Sequence, residues 1–246
     1  MDTEEFRKGI KRVGARSSHD YRSIFDPIKT ADIKSSDDRK RIDCTGRPAL
    51  VIIAGPNGSG KSSVVSGMIG SVFDETIINP DNYAKGLSEV ISDRTERYTV
   101  AMNVCGILRE SLLDCHTSFG SETVGSMEDK VKFVRKAVDK GYDITLIYVA
   151  LDDPELCLER IRKRVSEGGH DVDPDKVRSR YLRSMVNLHK FLELADRADV
   201  YDNSGSSPQL VFMKKDGEYQ LSVDPGKYEW VNTYILEYFK DAKRSY

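Results

Sequence analysis

The run Gly55-Pro56-Asn57-Gly58-Ser59-Gly60-Lys61-Ser62 combines residue types and spacing that suit one task, holding phosphate groups. Glycine stands first and sixth, lysine seventh and serine eighth, which is the Walker pattern. Glycines allow a tight loop whose backbone N–H groups turn inward, and a helix opening at its end adds positive potential. A lysine in the seventh position bridges β- and γ-phosphates, and the hydroxyl of the eighth residue ligates Mg²⁺. Residues 55–62, with Lys61 and Ser62 in those two roles, are therefore expected to bind ATP or GTP with Mg²⁺. Ser59 and Ser63 are further candidates for phosphate contacts.

Transfer of a phosphoryl group to a hydroxyl needs a base near the acceptor and cations around the moving charge. Asn79-Pro80-Asp81 follows a short apolar segment, and Pro80 suits the first position of a helix. Asp81 then stands either as a base or metal-supporting carboxylate, or as an ordinary helix-start acid favoured by the dipole. Glu122, followed by Thr123, ends another apolar segment and is a candidate for acceptor binding, with a solvated strand-end acid as the alternative. Between Glu159 and Ser184 the chain is rich in arginine. Arg160 and Arg164 share a helical face, Gly168-Gly169 interrupts, and Asp173-Pro174 starts a second helix bearing Arg178, Arg180 and Arg183. That helix–Gly-Gly–helix form suits a lid that closes over phosphates; the acids mixed into it also suit a solvated charged face. A Walker B pattern is not apparent. Asp152-Asp153 comes nearest, but Pro154 makes it a helix-start turn, which disfavours a sustained ATP-driven motor. His19, His116, His170 and His189 form no metal-binding spacing.

These residues need a scaffold that brings them to one edge. Leu50–Ala54, Thr76–Asn79, Ser118–Thr123, Asp143–Leu151 and Asp199–Tyr201 read as strands, the first a continuous apolar run suited to burial on both faces. Helical patterns alternate with them, among them 95–115, with Tyr98, Met102, Cys105, Leu108, Leu112 and Cys115 on one stripe, and 127–140, closed by Gly141. Alternation at this spacing implies an α/β fold: a three-layer P-loop NTPase architecture around a mostly parallel five-stranded sheet with right-handed crossovers. Ligands bind beyond the carboxyl ends of such strands. Gln209–Lys214 and Glu218–Val223 flank Asp216-Gly217, a strong hairpin signal, and 227–240 reads as a helix with Tyr228, Val231, Ile235 and Tyr238 on one face. The expected organisation is a charged N-terminal extension (1–47), a core (48–205) with its lid at about 159–184, and a C-terminal hairpin and helix (206–246) packed on the core as an appendage.

Composition narrows the partners. With 38 basic and 40 acidic side chains the formal net charge is −2, which gives no general attraction to nucleic acid or anionic membrane. The longest apolar stretches are strand-length, far below the roughly 20 residues that span a bilayer, and the first residues lack the apolar core of a secretory signal. Cys44, Cys105, Cys115 and Cys157 lack metal-ligand spacing and suit reduced thiols in the cytoplasm, with export as an effector left open.

Taken together, several pieces of this chain resemble the zeta-toxin-like P-loop kinases, in particular their compact bacterial branch labelled predicted ABC-type ATPase. The pieces are Ala54-Gly55-Pro56-Asn57-Gly58-Ser59-Gly60-Lys61-Ser62-Ser63, Ile78-Asn79-Pro80-Asp81, Ser118-Phe119 with Glu122-Thr123, Arg164-Val165 with Gly168-Gly169-His170-Asp171-Val172, Arg180-Tyr181, and Tyr201-Asp202-Asn203-Ser204. The resemblance implies a kinase of a sugar hydroxyl, notably of UDP-N-acetylglucosamine, or of a dinucleotide such as NAD, with an antitoxin or another protein partner left open. It implies Asp81 as general base, Lys61 and Ser62 as phosphate and Mg²⁺ ligands, Arg164 and Arg180 as lid cations, and Glu122 at the acceptor. Two departures fall on the acceptor side and the lid. Val124-Gly125-Ser126 follows Glu122-Thr123 where the family has Thr-Leu-Ser, and Ser179 replaces the first of two arginines before the lid tyrosine.

Two other functions compete. A nucleotide-dependent ATPase or switch would bind a protein partner through the extension and the C-terminal appendage. A polynucleotide 5′-kinase would need a basic, aromatic-lined groove, which the charge balance disfavours.

Overall fold

A computed structural model of the chain describes residues 46–66, 77–167, 172–240 and 243–244. The N-terminal extension up to residue 45, with Cys44 and His19, lies outside the described residues, as do Gly168, Gly169, His170 and Asp171 of the expected lid. The described chain runs β1 (Ala49–Ala54), α1 (Lys61–Ser66), β2 (Ile77–Ile78), α2 (Pro80–Gly86), α3 (Arg94–Asp114), β3 (Phe119–Thr123), α4 (Glu128–Asp139), β4 (Asp143–Ala150), α5 (Pro154–Ser166), α6 (Pro174–Leu194), β5 (Arg197–Asp202), β6 (Gln209–Lys215) and β7 (Glu218–Leu221). A 3₁₀ turn (Pro225–Lys227), α7 (Glu229–Val231), a π-helical stretch (Asn232–Leu236) and β8 (Lys243–Arg244) complete it. Two compact units result, one containing Ile78–Cys115 and the other the remaining described residues.

The larger unit is built on one sheet of order β2-β3-β1-β4-β5-β6-β7-β8. All six residues of β1 are buried, as a parallel strand covered on both faces requires. β1 runs parallel to β3 and β4, and β4 parallel to β5. Side chains alternate between faces, so Val51, Ile53 and Ile147 share one face with Val65 of α1. Tyr148 points to the other, where its hydroxyl meets Ser184 of α6 at 2.8 Å and α6 buries Met185, Leu188 and Leu192. That gives the three layers expected. Because β3 and β4 flank β1 on opposite sides, the carboxyl ends of β1, β3, β4 and β5 emerge together where the chain direction of winding reverses.

The sheet exceeds the five strands expected. β6 pairs antiparallel with β5, through a register shift at Val200/Tyr201, and β7 pairs with β6. The Asp216-Gly217 turn has φ of 52° and 78°, the double left-handed geometry of a tight hairpin. The hairpin is thus a continuation of the sheet rather than an appendage, because the free edge of β5 supplies backbone partners. Nor is 227–240 one regular helix. The i→i+5 bond from the Glu237 N–H to the Asn232 carbonyl (3.2 Å) widens the turn. Trp230, Val231, Ile235 and Phe239 are buried in place of the expected Tyr228–Val231–Ile235–Tyr238 face. Tyr238 is exposed and stacks on His189, ring centroids 3.8 Å apart.

In the smaller unit Asn79 caps α2, its Oδ1 accepting the Asp81 N–H at 2.8 Å, and Asp93 caps α3 through the Glu96 N–H at 2.7 Å. α2 and α3 pack through Ala84, Leu87, Ile91 and Ala101 with Tyr83, Tyr98 and Val100. The buried stripe of α3 is Ala101, Cys105, Arg109 and Leu113, offset from the predicted one, of which Met102 and Cys115 are exposed. Ala101 explains the offset: its small side chain lets α2 approach, and Arg109 follows one face below with its long aliphatic stem. Burial lowers the Arg109 pKa from its usual value. Among the described residues no helix is long and apolar enough to cross a membrane.

Integration of the hairpin into the sheet has a measurable consequence. Phe212 on β6 is fully buried against Tyr219 and Phe239. Phe212→Ala should cost about 3–5 kcal/mol and lower the midpoint of urea unfolding for the sheet as a whole. A separate early transition confined to the C-terminal segment would contradict that integration.

Candidate phosphate-binding site

The loop between β1 and α1 takes its shape from three glycines with positive φ: Gly55 (141°), Gly58 (78°) and Gly60 (87°). Each is also closely packed. A Cβ on Gly55 would lie 2.1 Å from the Val149 carbonyl oxygen, one on Gly58 2.6 Å from the Cys157 carbonyl oxygen, and one on Gly60 2.4 Å from Asn203 Nδ2. The two backbone contacts exclude a side chain at Gly55 and Gly58, and at Gly60 one would displace the Asn203 amide, so β4, α5 and the turn after β5 press on the loop from separate directions. α1 opens with the Ser63 and Val64 N–H groups donating to the Gly60 carbonyl at 3.1 and 3.0 Å.

Lys61 is buried, and its ammonium donates to the Gly55 and Pro56 carbonyls, both at 2.8 Å. The charge is thereby folded back over the loop that precedes it. Ser62 and Ser63 are exposed at the start of α1. Ser59 lies deeper than Ser62 and Ser63. It is wholly buried, and its Oγ lies on the Gly55 side of the loop, facing the sheet. Its Oγ and Asn57 Oδ1 are buried polar atoms without a hydrogen-bond partner among the described residues.

The site also includes Asn203 and Arg160, whose contacts no local pattern assigns. Asn203, just past β5, donates from Nδ2 to the Ser59 carbonyl at 2.8 Å, and its own carbonyl accepts from Arg160 Nη2 at 2.7 Å. Arg160, half-buried on α5, thus reaches the phosphate loop, while Arg164, one turn later, is exposed. Motif reasoning set the arginine pair on one face, and the position of Asn203 selects the nearer member. Arg180 is half-buried on α6. The two helices are clasped by a two-pronged ion pair, Arg178 Nε to Glu155 Oε1 (2.6 Å) and Nη2 to Glu155 Oε2 (3.1 Å). Hydrogen bonding from Arg178 holds the Glu155 carboxyl below its usual pKa. From Val177 onward α6 buries one face, with Val177, Tyr181, Ser184, Met185 and Leu188 inward, while Ser179, Leu182 and Arg183 stay exposed on the other.

Glu122 and Thr123 are half-buried at the end of β3, in register with Ile53 and Ala54 of β1. The 124–125 turn beyond them is fixed by α6. Ser184 Oγ donates to the Val124 carbonyl at 2.5 Å, and Asn187 Nδ2 donates to the Gly125 carbonyl at 3.0 Å. Asp81 belongs to the smaller unit, exposed in the first turn of α2. Asp153 caps α5 through the Glu155 N–H at 2.8 Å, the helix-start role read from Pro154.

A model of the zeta toxin family matches residues 33–219 of the 246. The chain belongs to the zeta toxin family. A Haemophilus influenzae protein described as uncharacterized is 27% identical over 131 residues, which is 53% of this chain and 91% of that protein. Among solved structures, the AvrRxo1-ORF1:-ORF2 complex superposes with a TM-score of 0.64 at 14% identity, covering 77% of this chain and 65% of that one. The chain therefore spans about two thirds of the length of that structure. A structure from the PezAT chromosomal toxin–antitoxin system of Streptococcus pneumoniae gives a TM-score of 0.55 at 16% identity, covering 87% of this chain and 82% of that one. Both likenesses are of fold. In this zeta toxin family member the tyrosine of the Arg180-Tyr181 piece is structural: it is buried, donates to the Leu151 carbonyl at 2.8 Å, and has its pKa raised by burial.

The contact of α5 with the loop makes Cys157 a test of the packing. Burial pushes its thiol up to about 12, against the opposing pull of Lys61 and Arg160. Since only the thiolate reacts, iodoacetamide at about pH 8 should alkylate the exposed Cys115 and spare Cys157 until the protein is denatured, as read by peptide mass mapping. Prompt native-state modification of Cys157 would show the α5–loop contact to be open.

Proposed function

We propose that this zeta toxin family member is an ATP-dependent kinase that transfers the γ-phosphoryl group to a hydroxyl of a small metabolite. UDP-N-acetylglucosamine and dinucleotides such as NAD are the leading acceptors. The observation that carries the proposal is the folded-back Lys61 ammonium in a loop whose three glycines have positive φ, two of them pressed against backbone carbonyls. Such a loop would offer backbone donors to phosphates, and nucleotide binding would draw the Lys61 ammonium from the Gly55 and Pro56 carbonyls onto them. The donor set fits Mg²⁺, with the exposed Ser62 hydroxyl as protein ligand. When bound, the ion supplies charge neutralisation between the β- and γ-phosphates.

In this reading residues 55–63 bind the nucleotide, Lys61 stabilises charge developing on the transferring group, and Arg160 joins Arg164 and Arg180 as cations at the phosphates. Glu122 and Thr123 contact the acceptor. Asp81 takes the acceptor's proton as its oxygen bonds to phosphorus, and ADP leaves. The AvrRxo1-ORF1:-ORF2 structure with ATP, TM-score 0.60 at 15% identity, supports the choice of nucleotide. The toxin–antitoxin and two-component complexes among similar folds support a protein partner for this chain, and a cytoplasmic site of action follows from a metabolite acceptor.

The test is incubation with γ-labelled ATP, Mg²⁺ and purified acceptors or a metabolite extract, with mass spectrometry of the labelled product. Asp81→Asn should retain ATP binding while transfer falls by at least about 100-fold; Lys61→Ala should lose transfer with weakened ATP binding, and chelation of Mg²⁺ should abolish transfer reversibly. Retained transfer in Asp81→Asn removes Asp81 as base. ATP hydrolysis with no labelled metabolite would favour a nucleotide-dependent switch.

A further inference from the structure

Trp230 is the one tryptophan in the chain, and it is buried in the C-terminal segment, beyond the hairpin. Its Nε1 donates to Asp202 Oδ2 at 2.9 Å. Asp202 is only 4% exposed, and its carboxylate also accepts the Ser204 N–H at 2.9 Å and the Ser204 hydroxyl at 3.1 Å. Ser204 Oγ in turn accepts the Asp152 N–H at 2.9 Å, and the Asn203 N–H donates to the Ala150 carbonyl at 2.9 Å. Residues 202–204 are therefore a turn assembled around a buried carboxylate and tied to the end of β4. At its centre stands Asn203, whose side chain holds the Ser59 carbonyl of the phosphate loop and whose carbonyl holds Arg160.

A carboxylate buried to this degree depends on its donors, since each one lost leaves charge poorly compensated in a low-dielectric setting. Of those donors, both from Ser204 are local to the turn. The indole alone comes from a distant element, so it sets where the turn sits. We infer that Trp230 is a positioning residue for the nucleotide site: the indole fixes Asp202, Asp202 fixes the 203–204 turn, and Asn203 fixes the Ser59–Gly60 end of the loop. The inference rests on the reading of that loop as an ATP site. It gives the C-terminal segment a part in nucleotide binding, although the segment contributes no phosphate ligand.

The experiment is a double-substitution cycle on ATP affinity by calorimetry. Trp230→Phe keeps the ring and removes the donor; ATP affinity should fall roughly fivefold to tenfold. Asn203→Ala should weaken binding comparably, and the double variant should be scarcely weaker than Asn203→Ala alone, because both act through one contact. Val231→Ala, a fully buried neighbour outside the network, should lose stability and keep its ATP affinity. Unchanged affinity in Trp230→Phe, or effects that simply add, overturns the inference. Should Trp230→Phe fail to fold, wild-type emission decides. A change in Trp230 fluorescence on ATP addition supports the coupling, and constant emission at calorimetrically saturating ATP overturns it. Wild-type protein that binds no ATP overturns the functional proposal itself, and this inference with it.

Discussion

Backbone crowding around the loop of residues 55–60 governs most of the larger unit. The Val149 carbonyl, the Cys157 carbonyl and the Asn203 amide each approach a glycine to a distance that leaves no room for a methyl group. Interiors packed to crystal-like density transmit displacement rather than absorb it. A shift in β4, α5 or the turn after β5 is therefore felt in the loop. The same crowding gives Lys61 its arrangement, since a closed loop brings the Gly55 and Pro56 carbonyls together under one ammonium. Glycine serves here both for left-handed φ and for closeness.

That crowding explains why the sheet is larger than the minimum for a phosphate loop. β5 must be held in register for Asp202 and Asn203 to emerge at the correct height, and β6 on its far side does so. On the opposite side of the loop, α6 performs a similar service for the 124–125 turn. Tyr148, Ser184 and Asn187 form a buried polar group bound to the Val124 and Gly125 carbonyls. Gly125, with φ of 71° and Phe191 only 3.2 Å from where a Cβ would stand, belongs to that arrangement. The departure of Val124-Gly125-Ser126 from the family pattern is thus accommodated by residues of α6.

Much of this was legible in the sequence because the signals are local. The apolar run of β1, the Walker spacing, the Asp153-Pro154 and Asp173-Pro174 helix starts and the Asp216-Gly217 turn each depend on a few adjacent residues, and each is found where it was read. What was not legible depends on partners far along the chain. Asn203 stands in a recognisable piece, Tyr201-Asp202-Asn203-Ser204, but nothing local says that its amide meets Ser59. Arg160 and Arg164 are equivalent by helical spacing, and only the place of Asn203 separates them. Ser59 stands inside the motif, while the burial of its hydroxyl is set by the sheet beneath and by no neighbour in sequence. The stripe on α3 was misplaced by one residue because Ala101, weak by hydrophobicity, is the residue small enough for α2 to pack on. The helix expected over 227–240 failed through one widened turn, which brings Phe239 inward in place of Tyr238.

The bond between Ser59 and Asn203 spans 144 residues of chain, and the indole behind Asp202 lies further along still. During synthesis the Walker motif emerges well before the amide that holds its far end, which follows 144 residues later. Contacts of such long sequence separation close late in folding. A nascent or truncated chain would carry the whole motif without the scaffold that shapes it. Competence thus matures in the order of translation, and an incomplete product bearing an intact phosphate-loop sequence would be a dormant one.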